Sequence, residues 1–339
     1  MNEQHEITEA NVTAEDEQSD AQVLEAVVSP HLSNTAFTTR RMMLDVLIAL
    51  IPLVGVAIFV FRMYAVIQLL ICLASCLGAE ALFTRMRKKP ITLSDGSAAI
   101  TAIILALSLP ATAPWYVGVI ASVIGIGIGK VIFGGLGMNI FNPAMLGRAF
   151  VMISFAGSMA ASGYMSAETT VDVITQATPL TAFKQGGQTP PLLDLVLGST
   201  NGSLGEVSGL ACILGGIYLC LRRTASWEIP AGVIGATVVL AGLADIVGST
   251  PGWSLWHHLS GGALLFGAFY IATDPVTSPL TRRGKFIFGV GVGAIVMLLR
   301  LYSGYPEGVM FAVLLMNALT PLINRWTIPK PFGETGSRQ

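Results

Sequence analysis

The residues whose types allow chemistry are concentrated in one polar loop, residues 161–204, which lies between two hydrophobic segments. Connections longer than about 12–15 residues without regular structure are usually functional or disordered. Asp172 to Leu180 of this loop read D-V-I-T-Q-A-T-P-L. These hydroxyl and carboxylate groups allow two interpretations: a threonine-rich surface loop held by Asx or ST turns, or a threonine hydroxyl that carries a covalently attached group.

The stretch resembles D-x-x-[ST]-G-A-T, the flavin-attachment motif of the family that joins the D subunit of the Rnf complex to the B subunit of the sodium-pumping NADH:quinone reductase. In that family the last threonine carries FMN through a phosphoester bond, and the matching residue here is Thr178. The resemblance implies that Ala177 is a small neighbour leaving access to the hydroxyl. Asp172 would orient the loop or assist the transfer, and Thr175 would hydrogen-bond locally. Gln176 departs from the motif, where the family usually has glycine.

The resemblance to the D subunit of Rnf extends over about residues 28 to 332. It is carried by S-P-H at 29–31, L-S-D-G-S at 93–97, G-G-L-G-M-N-I-F-N-P-A-M-L-G-R-A-F at 134–150, A-T-P-L-T-A-F at 177–183, the stretch from 258 to 279, and N-A-L-T-P at 317–321. It implies an electron relay that carries one covalent FMN. Homologues are also associated with a non-covalent riboflavin, which we retain as a second expected cofactor.

The resemblance further implies membership of a complex that moves electrons between ferredoxin and NAD and couples this to sodium or proton movement. The resemblance implies that the nicotinamide site and the iron–sulfur ligands belong to partner subunits. The sequence agrees with this, because it has no G-x-G-x-x-G after a strand and no loop cysteine cluster. The subunit would therefore be inactive alone. The alternative function is an inverted-repeat channel or secondary transporter for a small polar solute, because fold by itself does not determine function.

Composition identifies a membrane protein. The chain has 339 residues, of which 53% are hydrophobic and 12% charged, and its mean hydropathy is +0.69. These values exclude an ordinary soluble domain, and a net charge of -1 gives no basic field for nucleic acid. Cys72 and Cys76 share a helix face, but no His or further Cys flanks them, so we interpret them as packing residues and predict no metal site.

The predicted fold is all-α and polytopic, with about ten transmembrane helices. The apolar segments are 44–61, 64–84, 97–109, 115–133, 144–160, 205–221, 229–247, 258–273, 286–301 and 307–324. Several are shorter than the ~20 residues of a simple span, which favours tilted or interrupted helices. Around them we expect a disordered acidic tail at 1–28, a single membrane domain at 29–330 and a short tail at 331–339.

Basic residues orient the spans. Of the 19 Lys and Arg residues, all but Arg62, Lys184 and Arg300 fall on one side of a ten-span arrangement, Lys130 and Arg148 included. The positive-inside rule then places both termini in the cytoplasm and the loop 161–204 outside, which is the periplasmic side of a bacterial inner membrane.

The sequence also repeats itself. Pro110–Pro114 resembles Pro275–Pro279, Gly125–Gly129 resembles Gly289–Gly293, and Asn139–Pro143 resembles Asn317–Pro321, in the same order. The offset is five spans, and an odd offset inverts topology. We therefore predict two inverted five-helix repeats, at about 40–160 and 205–325, on either side of the loop. Alternate glycines face different sides of a helix, so they serve two neighbours or mark a break.

Acidic residues at membrane depth are costly and are functional candidates by default. Six lie at or near the spans: Asp45, Glu80, Asp95, Asp245, Asp274 and Glu307. Most lie close to a span end, where solvation at the interface is the simpler explanation. Glu80 is the most interior and Asp274 lies in a repeated Pro hinge, so these two are the weak candidates for an ion path. The choice between sodium and protons stays open.

Overall fold

The computed structural model describes residues 38–89, 93–160, 163–165, 173–175, 180, 183, 189, 191–197, 202–206, 208–248, 253–303 and 308–329. The predictions for the two tails, and those for Asp172, Ala177, Thr178 and Glu307, lie outside the described residues. The chain divides into two compact units, residues 1–42 and residues 43–339. All features below belong to the second unit, except the start of the first helix.

The part of the chain before the loop forms one group of helices. They are α1 (Thr39–Phe61), α2 (Met63–Met86), α3 (Ser97–Ser108), α4 (Trp115–Ile126, continued by a π-helical turn at Gly127–Val131), α5 (Pro143–Ser154) and the short α6 (Ala156–Ala160). The start of α5 shows why helices begin where they do. Asn142 caps it by accepting hydrogen bonds from the amides of Ala144 and Met145, and Pro143 occupies the first turn, where no amide is required.

The part after the loop forms a second group. It contains α7 (Leu192–Leu197), α8 (Gly209–Leu221), α9 (Glu228–Val247), α10 (Leu255–Ser260), α11 (Leu264–Phe266, continued by a π-helical turn at Gly267–Ile271), α12 (Arg282–Tyr302) and α13 (Val309–Thr327). Within the described residues, α1, α2, α9, α12 and α13 are long and apolar enough to cross a membrane. Shorter apolar helices α3, α4, α5 and α8, together with the α10–α11 segment, occupy the other predicted spans.

The helices expose large apolar side chains. Phe59, Ile153 and Ile246 are 85%, 75% and 84% exposed within the chain. An apolar exterior on this scale requires lipid or partner subunits around it rather than water. The prediction of an all-α, multi-pass membrane protein is therefore confirmed.

The α10–α11 segment shows why one predicted span is interrupted. Helix α10 ends at Ser260, and Gly262 then has a φ of +70°, a conformation that favours glycine. A break inside a span frees backbone carbonyls that need donors. Arg300 of α12 provides them, because its two terminal nitrogens donate to the carbonyls of His258 and Gly261 at 2.5 and 2.7 Å.

The loop between the two groups contains a short pair of strands. Strands β1 (Gly163–Met165) and β2 (Val173–Thr175) pair antiparallel, with Gly163 opposite Thr175. Further along, the amides of Leu204 and Gly205 donate to the carbonyls of Leu109 and Leu107 at the end of α3. The loop is thus fixed to the helices at its far end. We call this end of the helices, where the loop residues Leu204 and Gly205 meet the last residues of α3, the loop end.

The repeated glycines serve two neighbouring helices, which is one of the two roles predicted for them. In α4 and its π-helical turn, a Cβ atom at Gly125 would lie 2.6 Å from the carbonyl oxygen of Pro143 in α5, and one at Gly127 would lie 2.7 Å from Phe83 of α2. In α12, a Cβ atom at Gly289 would lie 2.4 Å from the carbonyl oxygen of Ile229 in α9. Only glycine permits helices to approach this closely.

The packing partners correspond between the two groups. Helix α4 packs on α2 and α5, and its counterpart α12 packs on α9 and α13. The faces are exchanged, however: Gly291, the middle glycine of the second triplet, faces Met316 of α13, whereas Gly127, the middle glycine of the first, faces α2 rather than α5. The inverted orientation of the two repeats stays a prediction.

Candidate functional site

Thr178 lies outside the described residues, but residues on both sides of it are described. Strand β2 ends at Thr175, and Leu180, two residues beyond Thr178, is buried with 3% of its surface exposed. A chain advances at most ~3.3–3.6 Å per residue, so the Cα of Thr178 lies within about 7 Å of that of Leu180. The described residues that flank Thr178 are thus the end of a strand and a buried leucine.

Phe183 fixes the same loop to the helices. Its ring lies 5.0 Å from that of Trp253, at an interplanar angle of 32°. Trp253 is 1% exposed and also contacts His257 and His258, with ring centroids 5.3 and 6.1 Å away. We call Phe183, Trp253, His257, His258 and Arg300 the aromatic cluster. It lies at the loop end, where α10 begins and α12 finishes.

The polar members of the aromatic cluster are deeply buried. Arg300 is 3% exposed and His258 is 2% exposed. Neither ring nitrogen of His258 has a hydrogen-bond partner among the residues that the structure describes. Buried polar groups nearly always have a partner, so the cluster holds hydrogen-bonding capacity that this part of the chain leaves unused. Trp253 and His258 were not among the predicted site residues and Arg300 was only a topology marker, although a charge within an apolar run is itself a signal of function.

Glu80 and Lys130 form a buried ion pair. Lys130 Nζ lies 2.6 Å from Glu80 Oε1, and the side chains are 3% and 1% exposed. Lys130 lies in the π-helical turn after α4, a type of distortion that is frequent at functional sites. Arg87 donates to the carbonyl of Val131 at the end of this turn. Lys130, counted above as a basic residue flanking a span, is thus a core residue.

The ion pair continues into the start of α3. Lys130 Nζ also donates to Ser97 Oγ at 2.6 Å, and Ser97 Oγ in turn donates to Asp95 at 2.5 Å. The amide of Ser97 donates to the same carboxylate, and Gly96 has a φ of +76°, so the D-G-S stretch builds this turn. Glu80 therefore belongs to a network that joins α2, α3 and α4.

Asp274 lies in a different environment. Its carboxylate accepts hydrogen bonds from the amide of Val276 at 3.1 Å and from the hydroxyl of Thr277 at 3.2 Å, which closes the hinge after α11. Burial raises the pKa of the Asp274 carboxyl above its ordinary value, while these two hydrogen bonds oppose the shift. The two candidate ion-path residues thus lie in separate networks, one within each group of helices.

A buried polar junction joins the hinge to both groups. Asn142 donates to the carbonyl of Ile271 at 3.4 Å. The side-chain amide of Asn317 is oriented to match its neighbours. Its oxygen accepts a hydrogen bond from the backbone N–H of Asn142 at 3.1 Å, and its nitrogen donates to the carbonyl of Thr277 at 3.3 Å. Thr320 donates to the same carbonyl at 3.0 Å. Three stretches that recur in the sequence therefore meet here, a contact that the repeat by itself did not predict.

The described residues contain no group of three or more His, Cys, Asp and Glu side chains that could hold a metal ion. Two features of the described residues are relevant to chemistry. The aromatic cluster contains aromatic rings and an imidazole that has no hydrogen-bond partner among the described residues. The Glu80 network contains a buried carboxylate paired with a buried ammonium group.

Comparison with known proteins places the chain in one family. The model of the NQR2, RnfD, RnfE family matches residues 26–333. The chain is 42% identical over 311 residues to the D subunit of the Na(+)-translocating ferredoxin:NAD(+) oxidoreductase complex of Acetobacterium woodii, covering 91% of this chain and 94% of that protein. It is 40% identical over 316 residues to the D subunit of the proton-translocating ferredoxin:NAD(+) oxidoreductase complex of Clostridium ljungdahlii, covering 90% and 95%.

A further relative is the D subunit of the ion-translocating oxidoreductase complex of Halorhodospira halophila, 38% identical over 344 residues, covering 92% of this chain and 96% of that protein. The agreement includes both groups of helices and the loop between them. The resemblance inferred from the motifs is confirmed, and the chain belongs to the NQR2, RnfD, RnfE family.

Proposed function

We propose that this chain is the membrane-embedded, flavin-carrying electron-transfer subunit of a complex that couples ferredoxin and NAD redox chemistry to ion translocation. The observation that carries the proposal is 42% identity, along 91% of the chain, with the D subunit of such a complex. The relatives named for sodium and for protons are almost equally similar, at 42% and 40%. Overall identity therefore does not discriminate between the two ions.

The flavin part of the proposal rests on the D-V-I-T-Q-A-T stretch and its surroundings. Thr178 supplies the hydroxyl that bears the FMN phosphate, Ala177 leaves access to it, and Asp172 orients the loop or assists the transfer. Bound FMN accepts and passes on electrons, which is chemistry that no side chain here supplies. The role of the protein is to hold the ring in place, and the burial of Leu180 and the contact between Phe183 and Trp253 favour a fixed position. Riboflavin stays a prediction.

The experiment is flavin attachment in the full-length chain, produced in a host that has the flavin-attaching enzyme. A covalent flavin survives denaturation, so the wild-type band fluoresces in a denaturing gel and intact mass includes one FMN. Thr178→Val removes the hydroxyl with little change of shape and abolishes both signals, whereas Thr178→Ser retains part of them. Thr175→Val is the matched control and keeps the adduct. An FMN adduct that persists in Thr178→Val would place the attachment site at another residue. A wild-type chain without flavin would favour the transporter alternative.

The proposal also includes partners. If the loop lies on the periplasmic side of the inner membrane, electrons from cytoplasmic ferredoxin must cross a hydrocarbon core of ~30 Å. A single flavin does not bridge that distance, so iron–sulfur and further flavin subunits pack against this one. The purified subunit alone is then expected to have no ferredoxin:NAD activity, and activity of the isolated chain contradicts this part of the proposal.

A further inference from the structure

Helix α2 ends in an exposed group of positive charges. The cations are Arg85, Arg87, Lys88 and Lys89. Residues 63–142 contain only two acidic side chains with which to balance them. Glu80 is buried and already pairs with Lys130, and Asp95 accepts hydrogen bonds from the amide and hydroxyl of Ser97. The surface at this end of α2 is therefore strongly positive.

None of these four cations forms an ion pair within the part of the chain that the structure describes. Two other helix ends differ in this respect. Arg222 at the end of α8 pairs with Asp45 at 3.2 Å, and Arg282 at the start of α12 pairs with Glu228 at 3.6 Å. The charge at the end of α2 is left uncompensated by comparison, and such a surface attracts an anionic group.

One of these cations occupies a backbone position that usually belongs to glycine. Lys88 has a φ of +54°. The amides of Lys88 and Lys89 donate to the carbonyls of Arg85 and Thr84 at 3.0 and 3.2 Å, which is the Schellman pattern that closes a helix. A residue with a Cβ atom is disfavoured in the left-handed conformation that this pattern requires. Strain of this kind is a basis for inferring that the side chain has a function.

A glycine-rich loop at residues 132–138 exposes large apolar side chains. Three of its glycines have positive φ angles: Gly134, Gly135 and Gly137, at +134°, +108° and +89°. The loop therefore turns tightly, in conformations that favour glycine. Ile132 and Met138 are 66% and 67% exposed. Apolar side chains exposed together on a surface indicate that lipid or another molecule covers them.

The charges and the loop form one continuous surface. Arg87 donates a hydrogen bond to the carbonyl of Val131, directly before the loop. One turn earlier, a Cβ atom at Gly127 would lie 2.7 Å from the ring of Phe83, so α2 and the π-helical turn are in close contact. We call the following residues the basic–apolar patch: Arg85, Met86, Arg87, Lys88, Lys89, Ile132, Leu136 and Met138.

The basic–apolar patch continues the apolar exterior of the helices. Leu82 and Met86 are 57% and 68% exposed and extend the apolar surface of α2 to its basic end. Ile128 and Ile132, 44% and 66% exposed, do the same for the π-helical turn. A surface that is apolar towards the membrane and cationic at its edge matches a phospholipid, whose phosphate lies above its acyl chains. An acidic soluble protein would match the cations alone.

We propose that the basic–apolar patch binds an anionic phospholipid, with the lipid phosphate held by Arg85, Lys88 and Lys89 and the first part of the acyl chains on the loop. Arg87 holds the loop against α2. Clusters of about four to eight Lys and Arg directly after a span are typical of binding to anionic lipids. The distribution of Lys and Arg predicts that the lipid belongs to the cytoplasmic leaflet. The inference does not depend on flavin attachment.

The test is native mass spectrometry of the purified full-length chain in detergent, titrated with phosphatidylglycerol or with phosphatidylcholine of identical acyl chains. Each cation near an anionic lipid surface contributes about fivefold in affinity, so a preference of about tenfold or more for phosphatidylglycerol is expected. Arg85→Gln/Lys88→Gln/Lys89→Gln removes the preference. The matched control is Arg282→Gln/Arg283→Gln/Arg325→Gln, which removes three exposed cations at the ends of α12 and α13 and keeps it.

Lys88→Gly separates lipid binding from folding. It removes one cation and relieves the left-handed conformation, so phosphatidylglycerol affinity falls about fivefold while Tm stays equal or rises. Arg223→Gly is the matched control. Arg223 has a φ of +58° at the end of α8, and its amide donates to the carbonyl of Cys220 at 3.1 Å, as in the pattern at Lys88. This control has the same effect on Tm and leaves lipid affinity unchanged.

The apolar half of the patch is tested separately. Ile132→Ser/Met138→Ser weakens binding of both lipids severalfold and leaves the preference between them, because acyl chains are the same in both. Glycerol phosphate added at the concentration of the lipid does not displace phosphatidylglycerol, since it lacks the chains that contact the loop.

Four results would overturn the proposal. The first is equal affinity of the wild-type chain for the two lipids. The second is a control triple variant that loses the preference as far as the patch variant does, because the whole basic side would then attract anions. Displacement by glycerol phosphate would identify a site for free phosphate. Loss of partner subunits from a complex that carries the patch variant, with lipid binding unchanged, would identify a protein interface.

Discussion

Removing Lys130 is expected to destabilise the protein strongly. The perturbation is Lys130→Met, which keeps an unbranched side chain and leaves Glu80 buried without its cation. At 2.6 Å and an effective dielectric constant of about 20, the attraction between the two charges is about 6 kcal/mol. Desolvation of each ion costs several kcal/mol, so the intact pair contributes little net stability.

The loss of one partner is different, because the desolvation of the other is no longer offset. We expect a loss of about 3–5 kcal/mol. For a chain of this size that corresponds to a fall in Tm on the order of 10 °C. The double variant Glu80→Met/Lys130→Met removes both charges and should return close to the wild-type Tm, since apolar replacement of a whole buried pair is often neutral or stabilising.

The assay is thermal unfolding of the purified full-length chain in detergent, followed by the fraction that remains monodisperse. Arg222→Met is the matched control. Arg222 pairs with Asp45 at 3.2 Å but is 39% exposed, and Asp45 keeps hydrogen bonds from Tyr218 and Thr224. Its loss should cost less than about 1 kcal/mol. A Lys130→Met protein as stable as wild type, or a double variant less stable than either single variant, would refute the reasoning.

Three further predictions concern packing, topology and coupling. Gly147→Ala places a Cβ atom 2.2 Å from the carbonyl oxygen of Ala121 and should cost about 1–3 kcal/mol, whereas Gly235→Ala meets nothing within 4 Å and should be neutral or stabilising by about 0.5–1 kcal/mol; equal Tm values would contradict the close approach of α4 and α5. Cysteines introduced at Thr181 and Arg282 in a cysteine-free background should react with an impermeant reagent from opposite sides, and labelling of both from outside would contradict the ten-span topology. Asp274→Asn in the assembled complex should impair ion transport more than electron transfer, and unchanged transport would remove this residue from the ion path.

The helical segments were predictable because they depend on local properties. A run of apolar residues broken by Pro or Gly determines where a helix crosses a membrane and where it ends. All ten predicted segments accordingly contain helix, and Gly262 lies at the break that short span length had indicated. The hairpin that pairs Gly163 with Thr175 was not predicted, because strands of three residues have no periodic signal.

The attachment motif was likewise a local feature, since D-V-I-T-Q-A-T is contiguous and its order of residue types carries the resemblance. The aromatic cluster is not contiguous in sequence. Phe183, Trp253, His258 and Arg300 come from three separate stretches of the chain and become neighbours only because α10 is broken and α12 passes beside the break. No pattern in the sequence identifies His258 as buried, with ring nitrogens that have no hydrogen-bond partner among the described residues.

The amino-acid sequence by itself determined that this is an all-α membrane protein of a particular family, with a hydroxyl-bearing loop between two similar groups of helices. Tertiary structure decided which charges are compensated and which glycines face which helix. Lys130 has the position of a flanking basic residue in the sequence, yet it lies in the core because Glu80, 50 positions earlier, lies opposite it. The physical reason is that hydropathy is summed along the chain, whereas the burial of a charge depends on partners that only folding brings together.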